Sequence, residues 1–238
     1  MHAARTTTAI RPNQPSLSGS RAIVCLSPDL KPEWLPQLAT AKLRTLGVTV
    51  TGAMPYFPAR TRRASKLVDR HNGLTCGGPI GLLDLAAMRQ HAQAAAATQW
   101  WLWHQVVAGT RPACPFWYFV DRHRTDPRRY PLARAQADYT TQPRIIAMTA
   151  HNARPDTRIP VPTAALESFQ AGYNTHLSMA VLAAVPADGV ATTYGAHGGW
   201  LTCTSERLTD QLAYLQAANA HIDGLGKNLQ LIAMAIHR

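Results

Sequence analysis

The last thirty-five residues, 204–238, constrain the possible fold most strongly. Three leucines recur at helical spacing between residues 208 and 215, and the preceding Thr204 or Ser205 can cap that helix. A turn at 221–228 contains Gly224, Gly226 and Lys227, and the apolar residues after it predict a buried terminal strand. Glycine amides beside one lysine are the groups that contact a phosphate, so this turn is a candidate phosphate site.

The N-terminal part of the chain has a matching pattern. Residues 22–26 form an apolar run that predicts a strand, and the apolar residues between 35 and 46 follow helical spacing. The β-branched residues 48–51 predict the next strand. The chain therefore starts with a β-α-β unit at 21–51, and from Gly199 onward it ends with another, which indicates an α+β fold.

Between these units the sequence predicts an inserted, alanine-rich helix near residues 82–98. Residues 100–103 contain three tryptophans that either continue the helix or begin a strand, and that either stack on bases or pack in a core. Residues 116–120 and 144–149 predict strands, whereas 177–185 fit a helix or a strand equally well. The predicted organisation is a lead segment at 1–20, a first unit at 21–75, an insertion at 76–135 and a second unit at 136–238.

Charge is distributed unevenly along the chain. The formal net charge is +11 and the sequence pI is about 10.1. Residues 1–134 hold 18 basic and 6 acidic residues, whereas 135–238 hold 6 and 7. Most of the basic residues are arginine, which makes planar, bidentate contacts with phosphate. The imbalance indicates a polyanion as partner; arginine enrichment by codon bias in a GC-rich genome is the alternative.

Two clusters concentrate the basic residues, and each is either a contact for an RNA or DNA backbone or a solvated charged segment with local ion pairs. The first cluster comprises Arg60, Arg62, Arg63, Lys66 and Arg70 and ends at His71. The second cluster comprises Arg122, Arg124, Arg128 and Arg129 and includes His123. Because one cluster lies on each side of the alanine-rich helix, we expect them to form two walls of one groove.

The reaction chemistry that the sequence permits is narrow. It contains no P-loop, no nucleophile elbow and no H-E-x-x-H motif, and its few carboxylates disfavour a two-metal nuclease. His71 and His123 are candidate bases because surrounding cations favour the neutral imidazole. If the chain cleaves RNA, metal-free transesterification fits best: a base takes the 2′-hydroxyl proton, arginines stabilise the phosphorane, and an acid protonates the leaving 5′-oxygen. We expect no cofactor and no metal.

Cysteine usage and hydropathy indicate the compartment. Cys25, Cys76, Cys114 and Cys203 are scattered and form no C-x-x-C pair, which is typical of a reducing cytoplasm and disfavours a zinc site. No apolar run is long enough to predict a membrane span. Residues 1–20 lack the apolar segment of a secretory signal and predict an unstructured lead.

Residues 21–51 and 199–236, with the Gly224–Lys227 loop, resemble the RAMP proteins of CRISPR systems. Among these the chain is most similar to the repeat-processing endoribonucleases, in the divergent form of type IV systems. The resemblance implies ferredoxin-like folds, binding of a repeat hairpin, and retention of the processed guide RNA in an effector complex with other subunits. Residues 29–50 contain no histidine, so the catalytic candidates are Arg21, Arg44, His71 and His123.

Two other functions are compatible with the same features. A non-catalytic RAMP-like subunit that caps or lines a guide RNA would bind a hairpin without cleaving it. A general basic nucleic-acid-binding or structural protein would show no preference for RNA.

Overall fold

The structure, a computed structural model, describes residues 20–60, 64–192 and 199–237. The predicted lead segment 1–20 lies almost entirely outside the described residues, as do Arg62 and Arg63 of the first basic cluster. Within the described ranges the chain is α+β, as the sequence predicts, with one mixed sheet of eight strands and eight α-helices. None of these helices combines the length and the hydropathy needed to cross a bilayer.

The strands come from the two ends of the chain. They are β1 Ser20–Leu26, β2 Thr49–Ala53, β3 Phe57–Pro58, β4 Val68–His71, β5 Leu74–Pro79, β6 Gly189–Thr192, β7 Gly199–Thr202 and β8 Gln230–His237. The helices are α1 Leu35–Thr45, α2 Leu85–Val106, α3 Phe116–Thr125, α4 Leu132–Thr140, α5 Pro143–Asn152, α6 Leu166–Gln170, α7 Tyr173–Ala183 and α8 Leu208–Asp223.

Strand β8 is the centre of the sheet. It runs antiparallel to β1 along its whole length, and its other edge pairs with β5 at one end and β2 at the other. Beyond β1, β6 pairs in parallel and β7 closes the edge as a hairpin partner of β6. On the far side, β3 and β4 both pair with β5.

Both predicted β-α-β units are present, but they share one sheet. β1 and β2 flank β8, so β1-α1-β2 is a split β-α-β unit whose middle strand is the last strand of the chain. β7-α8-β8 is the second unit, with β6 and β1 between its strands. The two units are therefore interleaved, because the terminal strand of one completes the other.

The two faces of the sheet are covered by different helices. Side chains alternate along β1, so Ala22 and Val24 pack with Leu35 and Leu43 of α1 on one face. Ile23 and Cys25 point to the other face and pack in a cluster that includes Ile222 of α8. Burial on both faces explains why β1 and β8 read as near-continuous apolar runs.

Residues 85–183 form a separate helical layer with its own core. α7 packs along α2, and residues from the end of α2, from α5 and from α6 form an apolar cluster around Trp103 and Phe169. Those two rings stack with centroids 5.1 Å apart and an interplanar angle of 6°. The predicted boundary between residues 135 and 136 falls inside α4 and is wrong, because the helical layer continues to residue 183.

Four predictions in this layer need correction or completion. The predicted strands at 116–120 and 144–149 are wrong: they lie in α3 and α5. Pro115 precedes α3 and Pro143 opens α5, positions that proline favours in helices and that short apolar runs do not reveal. Residues 100–103 continue α2, and most of the undecided segment 177–185 belongs to α7.

Candidate nucleic-acid interface

The second basic cluster lies on a helical hairpin formed by α3 and α4. Arg122, His123 and Arg124 occupy the last turn of α3, and Arg128 and Arg129 lie in the connection to α4. Cations at the end of a helix also compensate the negative pole of its dipole. The hairpin is therefore an element that presents four of the predicted RNA-binding arginines on one short segment.

Tyr130 holds the hairpin together from the inside. Its ring is buried, and the guanidinium groups of Arg122 and Arg134 lie over it at 4.3 Å and 5.5 Å from the centroid. Its hydroxyl donates to the Asp138 carboxylate at 2.6 Å. Burial raises the pKa of Tyr130, and the hydrogen bond to Asp138 acts in the same direction.

Local ion pairs leave most of the charged surface of the hairpin open. Arg124 pairs with Asp121 at 3.2 Å and Arg129 pairs with Asp126 at 3.7 Å, yet their side chains are 74% and 91% exposed. Such exposed pairs contribute little stability, so a phosphate competes for the guanidinium groups at low cost.

His123 forms a hydrogen bond within the hairpin. Its Nδ1 lies 2.9 Å from the carbonyl oxygen of Tyr130, so this nitrogen carries the proton and donates, leaving Nε2 as the possible base. Tyr118, on the same helix, is 43% exposed and was not singled out from the sequence. Tyr118 and Arg122 are four residues apart, a spacing that places both on one side of a helix. The sequence predicts a strand at residues 116–120, and in a strand this shared side is not apparent.

The first basic cluster lies at the edge of the sheet. Lys66 ends a short 3-10 turn, and Arg70 and His71 lie exposed on β4. Arg60 pairs with Asp84 at 3.4 Å, and the same carboxylate caps α2 by accepting from the amide of Ala87. His71 Nε2 is 3.1 Å from the side-chain nitrogen of Asn72 in the β4–β5 turn.

The two clusters lie near opposite ends of α8, so they are not side by side. Arg60 pairs with Asp84, the residue that caps the start of α2. Arg89, in the second turn of α2, pairs with Asp223 at the end of α8. The hairpin instead joins the start of α8, through a 2.6 Å contact between Arg207 and Asp121. Since α8 has 16 residues, these points are on the order of 24 Å apart.

The four candidate catalytic residues lie on separate elements. Arg21 projects from β1 toward the α8 face, where its guanidinium lies 5.1 Å from the centre of the Tyr56 ring. Arg44 is exposed on α1, which covers the opposite face. His71 is on β4 and His123 is on α3. Arg21 Nε is buried and has no hydrogen-bond acceptor among the described residues.

The glycine turn follows the C-terminal end of α8. Gly224 ends that helix in a right-handed helical conformation, and the amide of Leu229 donates to Gly226 to close the turn. The Lys227 carbonyl accepts from the amide of Gly81, while its side chain is exposed. A helix C-terminus carries partial negative charge, so any phosphate contact here depends on Lys227 and the turn amides and gains nothing from the dipole.

No protein-family model, curated protein or solved structure matches this chain. In the described ranges, no three histidine, cysteine, aspartate or glutamate side chains come together as a potential metal-binding group.

Proposed function

We propose that this protein is an RNA-binding protein related to the RAMP endoribonucleases, which binds a repeat hairpin and cleaves it without a metal. The observation that carries the proposal is the α3–α4 hairpin, where Arg122, Arg124, Arg128 and Arg129 are all exposed within eight residues. That density of arginine suits the closely spaced phosphates of structured RNA.

The arrangement of the sheet supports the family relationship. In a ferredoxin-like unit two parallel strands flank an antiparallel strand, and β1 and β2 flank β8 in this way. The turn that contains Gly224, Gly226 and Lys227 leads directly into this central strand. We assign it the role of the glycine-rich RNA-binding loop.

The cleavage step needs a base, an acid and charge stabilisation at one phosphate. Arginine is a poor base because it stays protonated, so His71 or His123 would take the 2′-hydroxyl proton while arginines stabilise the phosphorane. A water molecule would protonate the 5′-oxygen as its bond to phosphorus breaks. The separation of the four candidates favours a second proposal, a non-catalytic subunit that holds guide RNA within a CRISPR effector complex.

One assay separates these functions. The protein is incubated with a repeat-hairpin RNA in EDTA, and the products are resolved and tested for a 2′,3′-cyclic phosphate end. We expect one cut, unaffected by EDTA. Cleavage that needs magnesium contradicts the metal-independent mechanism, whereas tight binding without any cut supports the guide-holding subunit. Equal affinity for hairpin RNA and duplex DNA contradicts both and indicates a general nucleic-acid-binding protein.

A further inference from the structure

A pocket of about 460 Å³ lies in the helical layer, between the C-terminal half of α2, the start of α5 and the α6–α7 turn. Its aromatic walls are Trp100, Trp103, His104 and Phe169. Trp100 and His104 stack with centroids 5.2 Å apart and an interplanar angle of 24°. The volume and the largely apolar lining, with four aromatic rings, are those of a small-ligand site.

Hydrogen-bond donors line the same pocket. Arg144 uses three of its five N–H groups, donating twice to Thr110 and once to Gln170. Burial lowers the pKa of Arg144. The indole N–H of Trp103 is shut off from solvent, so an occupant of this open pocket does not reach it. Two N–H groups of Arg144 remain for a ligand oxygen or ring nitrogen.

The aromatic surface continues beyond the mouth of the pocket. The Trp100 ring contacts the rings of Trp101 and Tyr173 at centroid distances of 5.2 Å and 5.4 Å. Trp101 is 58% exposed and Tyr173 is 36% exposed, although both rings are large and apolar. Exposed aromatic rings at the mouth of an aromatic pocket form a platform on which a second planar group can stack.

The chemistry favours a nucleobase as the occupant. A base has two flat faces for aromatic stacking and an edge with carbonyl and ring-nitrogen acceptors for the remaining N–H groups of Arg144. None of the residues that line the pocket is acidic, so nothing there repels the phosphates that accompany the base. An aliphatic side chain would fill the volume but would leave the donors without acceptors.

We propose that this pocket takes one unpaired base of a bound RNA, and that Trp101 and Tyr173 stack the neighbouring base. The proposal rests on the proposed RNA-binding function and adds a specific site for single-stranded nucleotides. The α3–α4 hairpin would then hold phosphates through charge, while the pocket and its platform recognise bases that have left the helical stack.

The test compares hairpin RNA that has an unpaired loop with fully paired duplex RNA of similar length. Trp101→Ala and His104→Ala alter exposed side chains of the site, and Trp34→Ala is the matched control because Trp34 is 49% exposed on the α1 side of the sheet. We expect each site variant to bind the looped RNA about tenfold more weakly, a typical loss for one stacked base, with unchanged duplex affinity. Trp34→Ala should change neither affinity.

Equal losses on both RNAs, or no loss on the looped RNA, would overturn the base-pocket proposal. Failure of the unmodified protein to bind either RNA would instead overturn the proposed function itself. Unpaired 2-aminopurine in the loop gives a second readout, since its fluorescence should be quenched by the unmodified protein and recover with Trp101→Ala. A fluorescence signal that the unmodified protein leaves unchanged contradicts the pocket.

Discussion

The sheet and the helical layer of this protein differ in the side chains that they expose. Residues 85–183 contain ten basic and five acidic residues and the rest of the chain contains 14 and eight, so both regions have an excess of positive charge. The helical layer exposes the rings of Trp101, Tyr118 and Tyr173, and it carries four exposed arginines on the α3–α4 hairpin. Among the described residues outside that layer, Trp34 is the one aromatic side chain with comparable exposure.

This difference indicates that the sheet and the helical layer have separate roles. The sheet is an apolar framework that fixes where the helices begin and end. The helical layer carries the arginine-rich α3–α4 hairpin, the aromatic pocket and most of the exposed aromatic rings. Substitutions in the sheet should therefore change folding first, and substitutions in the helical layer should change RNA binding first.

The largest effect is expected where β5 approaches β8. A Cβ atom on Gly77 would collide with the Leu231 carbonyl and with the Ile232 backbone, neither of which can move freely. Gly77→Ala should lower the free energy of unfolding by about 3 kcal/mol, the upper range for overpacking. Thermal denaturation followed by circular dichroism measures this.

Gly52→Ala is the matched control for that change, because no atom lies within 4 Å of its added Cβ. It should leave the unfolding midpoint nearly unchanged. Equal midpoints for Gly77→Ala and the unmodified protein would contradict the tight β5–β8 contact.

The next effect concerns the α3–α4 hairpin. Replacing Arg122, Arg124, Arg128 and Arg129 with glutamine should weaken hairpin-RNA binding about 100-fold near 0.1 M salt and reduce the salt slope by about 4, since each lost phosphate contact removes about one unit. The unfolding midpoint should shift little. Fluorescence anisotropy over a salt series measures both quantities.

Arg154→Gln with Arg158→Gln is the control, since both arginines are exposed in the loop after α5. That pair should retain the affinity and slope of the unmodified protein. If the two sets of variants lose affinity equally, binding is non-specific charge attraction and the hairpin has no special role.

A smaller effect should follow pH in the helical layer. His176 is buried, its Nδ1 lies 3.0 Å from the Ser168 hydroxyl, and burial lowers its pKa below the ordinary 6.5. At a pH between that lowered value and 6.5, His176 is protonated more fully in the unfolded chain than in the folded protein. The free energy of unfolding therefore falls as the pH drops below about 6.5. The slope is at most about 1.4 kcal/mol per pH unit.

Urea denaturation at pH 7.5 and at pH 5.5 measures this slope. His176→Asn should be less stable at both values but should show a shallower dependence on pH. The exposed His91→Asn variant should keep the full dependence. An unchanged slope in His176→Asn would contradict the role assigned to its burial.

The smallest effect concerns the contact between the layers. Arg89 on α2 donates to Asp223 at 2.8 Å and to Asn219 at 2.9 Å on α8, but the Asp223 side chain is 52% exposed. A double-mutant cycle of Arg89→Met and Asp223→Asn should give a coupling of about 0.5 kcal/mol, as exposed pairs do. A coupling above about 2 kcal/mol would show that this pair holds the layers together.

The sheet was more predictable from the sequence than the helical layer. β1 and β8 are buried on both faces, so an uninterrupted apolar run identifies them. Their pairing is not visible in the sequence, because it joins residues about 210 positions apart, such as Ala22 and Met234. Interleaving of the two β-α-β units follows from that long-range register.

In the helical layer the local pattern was ambiguous. Residues 116–120 are aromatic and β-branched, which favours a strand, but they form α3 because Phe119 packs between α3 and α4 while Tyr118 faces solvent. The second basic cluster was found from charge alone. The pocket at Arg144 was not, because its lining comes from segments up to about 70 residues apart in the chain.

Photo-crosslinking of bound hairpin RNA tests these separate roles of the sheet and the helical layer most directly. The crosslinked peptides are identified by mass spectrometry. The account predicts crosslinks in residues 111–134, which include the α3–α4 hairpin, and at Trp101 or Tyr173. It is contradicted by crosslinks confined to the sheet strands β3–β5 or to α1.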